Sequence, residues 1–366
     1  DSNDVTEVSA PAPVFRPRRY SPSDLLRWIF GALILLAVGY WLVGSAIDEP
    51  QRFAQVTVIG LSNGMIYALV ALGYTLVYGI IELINFAHGD VFMVGAFASL
   101  WVLTTPLGLA DRPISNPLEL AGVLLIVVVP VMLFMGLIGV VIERFAYRPL
   151  RHAPRLAPLI TAIGVSFILE NVIQALFGPS PHPTPQIFPR VDVLSIDTFN
   201  VLGLQVTGGV LRGLNLTMVV VAIGLMAVLQ AFVGRTRLGR AMRSTAQDRE
   251  AAELMGVDIN QTIAITFFIA AALAGAGGVI YGLYFGSVQF QLGFYTGLKA
   301  FTAAVLGGIG NTMGAAVGGF IIAFIEVAAA QVGYNRWSEV AVFTVLILVL
   351  VFRPSGLFGQ ALGERA

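Results

Sequence analysis

Two clusters of polar residues interrupt an otherwise apolar chain, and they are where this sequence could do chemistry. The first is the run Ile84-Asn85-Phe86-Ala87-His88-Gly89-Asp90, which brings an amide, an imidazole and a carboxylate close together. The second extends from Gly297 to Asn311 and holds Lys299, Thr302, Gly307, Gly308 and Gly310. Lys299 is the only lysine in the chain. Both clusters are flanked by apolar runs of membrane-spanning length. A charged side chain at membrane depth costs roughly 3 kcal/mol on insertion scales, so it marks either a pathway or a packed partner. Catalysis fits poorly. No nucleophile stands beside His88, and His88, His152 and His182 lack metal-ligand spacing. The absence of cysteine removes disulfides and thiolate metal sites. No GxxxxGK[ST] loop is present to hold a nucleotide phosphate.

The elements that must position these clusters follow from composition. The chain is 57% hydrophobic and 11% charged, against about 25% charged in soluble domains. An all-α polytopic membrane protein is therefore expected. Its zero net charge gives no sign of a nucleic-acid partner. Runs long and apolar enough for helices cover 26–47, 54–81, 91–105, 118–142, 159–177, 214–233, 261–284, 314–332 and 339–352. The piece 299–306 is too short to cross alone. The expectation is nine full transmembrane helices plus one broken or re-entrant short helix, which is tolerated only where protein or a watery cavity surrounds it. Residues 1–25 read as a polar, disordered tail and 26–48 as a signal-anchor helix. The membrane core spans 54–353, and 354–366 form a second tail.

Arginines concentrate around 16–27, 144–155, 235–249 and 353–365, so those connections and both termini are expected in the cytoplasm. The opposite side carries the long connection 177–215, whose alternating prolines hold it extended, with short strands or a surface helix over 194–206. That segment is either a rigid spacer or a docking surface.

Three groups of candidate residues emerge. Asn63, Tyr67 and Tyr74 recur on one helix face and, with Thr75, Lys299, Thr302 and Asn311, are candidates to line a translocation path. Lys299 either meets a substrate carboxylate or pairs with a buried acid such as Glu326 or Glu170. Asn85, His88 and Asp90 are placed at the cytoplasmic end of the first core helix, either as a gate or as a hydrogen-bonded helix end with Asn85 capping the next helix. Gly307-Gly308-Ile309-Gly310 should break a helix. The connection 234–258 is read as a short helix over 248–255, capped by Thr245, with Asp248 in its first turn and Gly256 as its stop.

That connection also carries a resemblance. Glu250-Ala251-Ala252-x-x-x-Gly256 resembles the coupling loop of ABC importer permeases. Asn63-Gly64, Tyr67-Ala68-Leu69, the run from Ala71 to Ile80, Ile84 to Asp90, Ile142-Glu143-Arg144-x-Ala146-Tyr147-Arg148-Pro149-Leu150-Arg151 and Lys299 to Gly310 are similar to branched-chain amino acid permeases. The resemblance covers 55–359 and is nearest the first of the two permease subunits of leucine-isoleucine-valine systems. The tail and extra span of 1–48 depart from it.

The resemblance implies a transport subunit of the bacterial inner membrane that binds no cofactor and whose partner subunits use ATP. It implies two ATPase subunits, a second homologous permease and a periplasmic substrate-binding protein as partners. In that family the coupling loop docks on the ATPase, which assigns that role to Arg249, Glu250, Ala251, Ala252 and Gly256. Urea or short-chain amides are alternative substrates. An ion-coupled secondary transporter or channel is the rival class, with Glu170 and Glu326 as its only candidate coupling carboxylates.

Overall fold

The computed structural model describes Gly44, Asp48 and residues 50–109, 113–151, 153–154, 156–188, 192–196, 199–201, 204–206, 209–330, 337–353 and 355–359. The expected tail at 1–25, nearly all of the 26–48 anchor, and Pro354 and 360–366 of the expected 354–366 tail lie outside the described residues; 355–359 of that tail is described and bonds back to Leu306 and Gly307. Chain contacts separate 1–48 from 49–366 as two compact units.

Helices dominate the second unit. They are α1 (Pro50–Ile81), α2 (His88–Thr104), α3 (Pro117–Ile142), α4 (Leu156–Phe177), α5 (Gly213–Arg235), α6 (Arg237–Gln247), α7 (Arg249–Leu254), α8 (Ile259–Phe285), α9 (Leu292–Gly307), α10 (Thr312–Ala329) and α11 (Ser338–Phe352). Local sequence sets several starts. Asn116 accepts a bond from the Leu118 N–H ahead of Pro117, Asp258 from Gln261 and Asn311 from Gly314, each satisfying a donor that the first turn leaves unpaired. α8 stops at Gly286, whose φ of 70° suits the left-handed end position.

Six described helices are long and apolar enough to cross a membrane: Val56–Ile81, the stretch from Pro117 to Leu150, Leu156–Phe177, Thr217–Arg235, Ile259–Phe285 and Thr312–Ala329. α2 and α11 are shorter; α2's 17 residues rise about 25 Å, less than a hydrocarbon core of about 30 Å. Of the nine expected crossings, 26–47 lies outside the described residues, six coincide with these full-length spans, and 91–105 and 339–352 coincide with the shorter helices α2 and α11. The piece expected at 299–306 is a longer helix that begins at Leu292, before the apolar run visible in sequence.

α1 and α8 form the centre and are buried almost throughout, whereas α4 and α5 show most of their surface. α1 packs on α10, α8 and α9, and α8 also packs on α2 and α3. Glycines set these approaches: a Cβ on Gly278 would come within 2.6 Å of the Ala96 nitrogen, and one on Gly319 within 2.6 Å of the Ala68 nitrogen. Small residues let packing forces act between backbones where no water drives association.

The short strands lie at one end. β1 (His182–Pro183) pairs antiparallel with β6 (Ser287–Val288), β2 (Asp192–Ile196) with β5 (Gly209–Arg212), and β3 (Phe199–Val201) with β4 (Leu204–Val206). Strands in this connection agree with the proline-rich, non-helical reading. The opposite end gathers the end of α1, a π-turn over Glu143–Tyr147, α6–α7, the 308–311 turn and the 355–359 segment; this is the arginine-rich face.

Candidate functional site

The arginine-rich face carries the most developed surface feature. Asp248 opens α7, its carboxylate accepting the Ala251 N–H at 3.0 Å, and Gly256 closes it at φ 84°. The cap is therefore Asp248 and not Thr245. Thr245 sits inside α6, a helix not separable in the sequence, and its hydroxyl donates to the Ala241 carbonyl. Ala252 is buried against the body, while Leu254 and Met255 are 88% and 85% exposed at the tip. Two large apolar side chains held in the open by a capped turn form a projecting contact surface.

Arg249 ties this projection to the centre of the fold. Its guanidinium donates through Nη2 (2.7 Å) and Nε (3.3 Å) to the Ile80 carbonyl at the end of α1. A cation there satisfies an orphan carbonyl and complements the negative end of the helix dipole. Nearby, the buried Glu143 pairs with Arg151, which also donates to Asn260 Oδ1 at 2.7 Å, joining the π-turn to the start of α8. Burial draws the Arg151 guanidinium below its ordinary value, opposed by the adjacent Glu143 carboxylate. Between these elements lies a cavity of about 590 Å³ lined by both arginines, Glu82, Asp248, Glu250 and an apolar wall.

The first polar cluster occupies a different depth from the one expected. After α1 the chain turns back, so that His88 packs against Gly73, close enough that no Cβ would fit there. Gly73 lies about 12 Å inside the end of α1. Asn85 remains near that end. It does not cap α2: the helix starts after Ala87 with no side-chain cap, and the Asn85 amide oxygen accepts the Tyr147 hydroxyl at 3.0 Å. His88 stacks edge-on against Tyr74 with ring centroids 4.8 Å apart. Asp90 accepts a bond from the Ser166 hydroxyl on α4. Its Oδ1, His88 Nε2 and Thr75 Oγ1 are buried without hydrogen-bond partners.

This cluster is also where α2 and α9 begin. A Cβ on Gly89 would reach within 2.8 Å of Gly297 Cα, and one on Gly293 within 2.7 Å of Asp90 Cα. From this contact the helices run apart. α2 leads toward the strands, with Ser99 near Gly282 and Thr184, and α9 leads to Gly308 beside Gly359. Two short helices thus start back to back inside the bundle, the buried, protein-enclosed arrangement in which an interrupted crossing is tolerated. Gly308 and Gly310 end α9 at φ 101° and 93°, as the glycine run predicted.

Lys299 has a partner. Its Nζ lies 2.6 Å from Glu326 Oε1 and 3.7 Å from Glu339 Oε1, and the Tyr67 hydroxyl donates to the other Glu326 oxygen. Asn63, one turn before Tyr67, leaves its buried Oδ1 without a hydrogen-bond partner. α1, α9, α10 and α11 therefore meet in one polar cluster, with Glu339 half exposed. Of the two acids considered for Lys299, Glu326 is the one found. The remaining path candidates scatter. Tyr74 faces His88 and Phe301, Thr302 bonds to the Leu298 carbonyl within α9, and Asn311 caps α10 while donating to the Phe358 carbonyl. Glu339 and Ser166 were missed because their partners, Lys299 and Asp90, are remote in sequence and no local spacing announces them. Among the described residues no group of acids and histidines is placed to hold a metal.

Comparison with known proteins agrees with this architecture. The sequence pattern of the family described as branched-chain amino acid transport system / permease component matches residues 56–351. The high-affinity branched-chain amino acid transport system permease protein BraD of Pseudomonas aeruginosa is 39% identical over 86% of this chain and 98% of its own length. LivH of Escherichia coli K12, of the same description, is 36% identical over 86% and 97%. A probable branched-chain amino acid transport permease of Methanocaldococcus jannaschii is 26% identical over 82% and 91%. No solved structure is a significant match.

Proposed function

Because this chain belongs to the branched-chain amino acid transport permease family, we propose that it is the membrane-spanning subunit of a binding-protein-dependent ABC importer. It forms the translocation path for branched-chain or related amino acids in the bacterial inner membrane, with the arginine-rich face and both termini in the cytoplasm. Two separate ATPase subunits, a second homologous permease and a periplasmic binding protein complete the machine. The observation that carries the reading is α7. It is a capped turn bearing Glu250-Ala251-Ala252-x-x-x-Gly256, projecting Leu254 and Met255 outward while Arg249 holds the end of α1. Its exposed side fits an ATPase groove, and its tethered side passes movement into α1.

The path itself is assigned to Asn63, Tyr67, Tyr74, Thr75, Lys299, Thr302 and Asn311, with His88 and Asp90 as the constriction where α2 and α9 begin. A zwitterion with an aliphatic side chain needs a mostly apolar route with sparse polar groups. The test is a cysteine at Ala251 with a short cross-linker. Capture of a nucleotide-hydrolysing subunit from the cytoplasmic side, with ATP-driven uptake in vesicles, supports the proposal. Reactivity only from outside, or uptake driven by an ion gradient without ATP, overturns it. Ligand screening of the associated binding protein decides between branched-chain amino acids and urea or short-chain amides.

A further inference from the structure

The cavity of about 590 Å³ on the arginine-rich face has the size of a small-ligand site, and its lining is chemically divided. Ile80, Ile81, Leu83, Leu150, Pro158 and Ile263 supply an apolar wall. Arg151, Arg249, Glu82, Asp248 and Glu250 supply charge of both signs. Most of these charged groups are already engaged: Arg151 by Glu143 and Asn260, Asp248 by the Ala251 N–H, and Arg249 by the Ile80 carbonyl through Nε and Nη2 only. Arg249 keeps Nη1 outside that bond and is itself one of the cavity's lining residues.

Glu82 is the anomaly. It is the one non-glycine residue at positive φ among the described residues, at 56°. It occupies the left-handed position closing α1, where its N–H bonds to the Tyr78 carbonyl at 2.8 Å. Glycine is the residue that position favours. A carboxylate there also opposes the negative end of the helix dipole. Its own carboxylate is exposed and has no partner among the described residues. The chain thus accepts backbone strain and an unfavourable charge to keep a free carboxylate on this cavity, and strain of this kind clusters at ligand sites.

We propose that the cavity binds a zwitterionic aliphatic amino acid from the cytoplasmic side, with Glu82 receiving the α-ammonium, Arg249 the α-carboxylate and the apolar wall the side chain. The ligand carboxylate competes with the Ile80 carbonyl for the guanidinium that ties α7 to α1. Accumulated product therefore loosens that tie and slows further import. This rests on the proposed function for the identity of the importer and its cargo, and it adds a second site on this chain outside the translocation path.

The experiment uses the complete importer in proteoliposomes, with binding protein and labelled leucine outside and ATP and unlabelled leucine inside. Each preparation's initial uptake is divided by its own uptake without internal leucine, so a change in basal rate cancels. The wild type should fall by about fivefold or more at saturating internal leucine. Glu82→Gln should raise the half-inhibiting concentration by about tenfold, the loss expected for one charge-assisted contact, and Glu82→Gly should behave alike. Internal 4-methylpentanoate, which lacks the ammonium, should be weaker on the wild type by a similar factor. Uptake indifferent to internal leucine, or variants inhibited at the wild-type concentration, overturns the cavity assignment and leaves the proposed function intact. An absence of ATP-driven uptake before internal leucine is added defeats the proposed function instead.

Discussion

Replacing Lys299 with methionine removes one charge from the cluster at the junction of α1, α9, α10 and α11 and keeps the length of the apolar stem. The pair it breaks is short, with 2.6 Å between Nζ and Glu326 Oε1. Removing one partner of a buried ion pair costs about 3–5 kcal/mol, because the other charge is left without compensation. Two features reduce the figure. The side chains retain 12% and 18% exposure, so water shares part of the task, and the Tyr67 hydroxyl still donates to Glu326. The expected loss is about 2–3 kcal/mol. The contact with Glu339 adds little, since that carboxylate is 49% exposed and 3.7 Å away, and exposed pairs contribute about 0–1 kcal/mol. The double variant Lys299→Met with Glu326→Gln leaves no uncompensated charge, so most of the loss should return, with a coupling energy of about 1–2 kcal/mol. Denaturant unfolding of the purified protein in detergent, followed by tryptophan fluorescence, measures all three variants. A single variant within about 0.5 kcal/mol of wild type would refute the argument, as would a double variant no better than the single. In either case Lys299 is not primarily an ion-pair partner, and a direct role toward substrate gains ground.

Arg249→Ala and Glu250→Ala should lower uptake by about tenfold or more while membrane abundance measured by immunoblot stays near wild type; for Arg249 the lost contact with the Ile80 carbonyl, about 1.5–3 kcal/mol, acts on the drive more than on folding. Leu254→Asp should weaken co-purification of the ATPase subunits, because a charge would replace a large exposed apolar contact; unchanged recovery would remove the tip of α7 from the docking surface. Gly89→Ala should cost about 1–3 kcal/mol or prevent folding, as the new methyl meets backbone of α9 on a path that cannot yield cheaply, and a wild-type unfolding midpoint would contradict the contact. Tyr147→Phe should cost about 1–2 kcal/mol by leaving the buried Asn85 oxygen without its donor, read by the same unfolding assay.

The spans were legible because apolar length is written locally: α1, α3, α4, α8 and α10 lie within a few residues of the apolar runs that predicted them. Gly256, Gly308 and Gly310 were legible for the same reason, since a left-handed position selects glycine by itself. What escaped depends on folding back. Nothing near Leu292 marks a helix start; the next residue, Gly293, packs against Gly89 and Asp90 of α2, which the local sequence does not announce. Asn85 has the side chain of a cap, but Tyr147 claims its oxygen from another connection. Asp248 and Thr245 are both acceptable caps by type. The choice fell to Asp248 because Thr245 was absorbed into α6, whose own start at Thr236 sets the register. Lys299 was legible as needing a counter-ion and its choice of Glu326 over Glu170 was not, since both acids sit on spans.

The same geometry bears on how force could reach the half of the molecule remote from the arginine-rich face. α1 runs unbroken from Pro50 to Ile81 with no internal proline, a length of about 48 Å. Arg249 grips its last turn, His88 packs at Gly73, and Tyr67 contacts the Lys299 cluster further along. A helix buried along its length cannot tilt without disturbing each of these contacts, because packed interiors switch between discrete arrangements and do not deform smoothly. A movement of α7 is therefore delivered at once to the start of α2 and to the ion cluster. Arg249→Ala and Lys299→Met accordingly perturb opposite ends of one element, and their effects on uptake should combine less than additively. Two independent, multiplying losses would place the Lys299 cluster on a separate route.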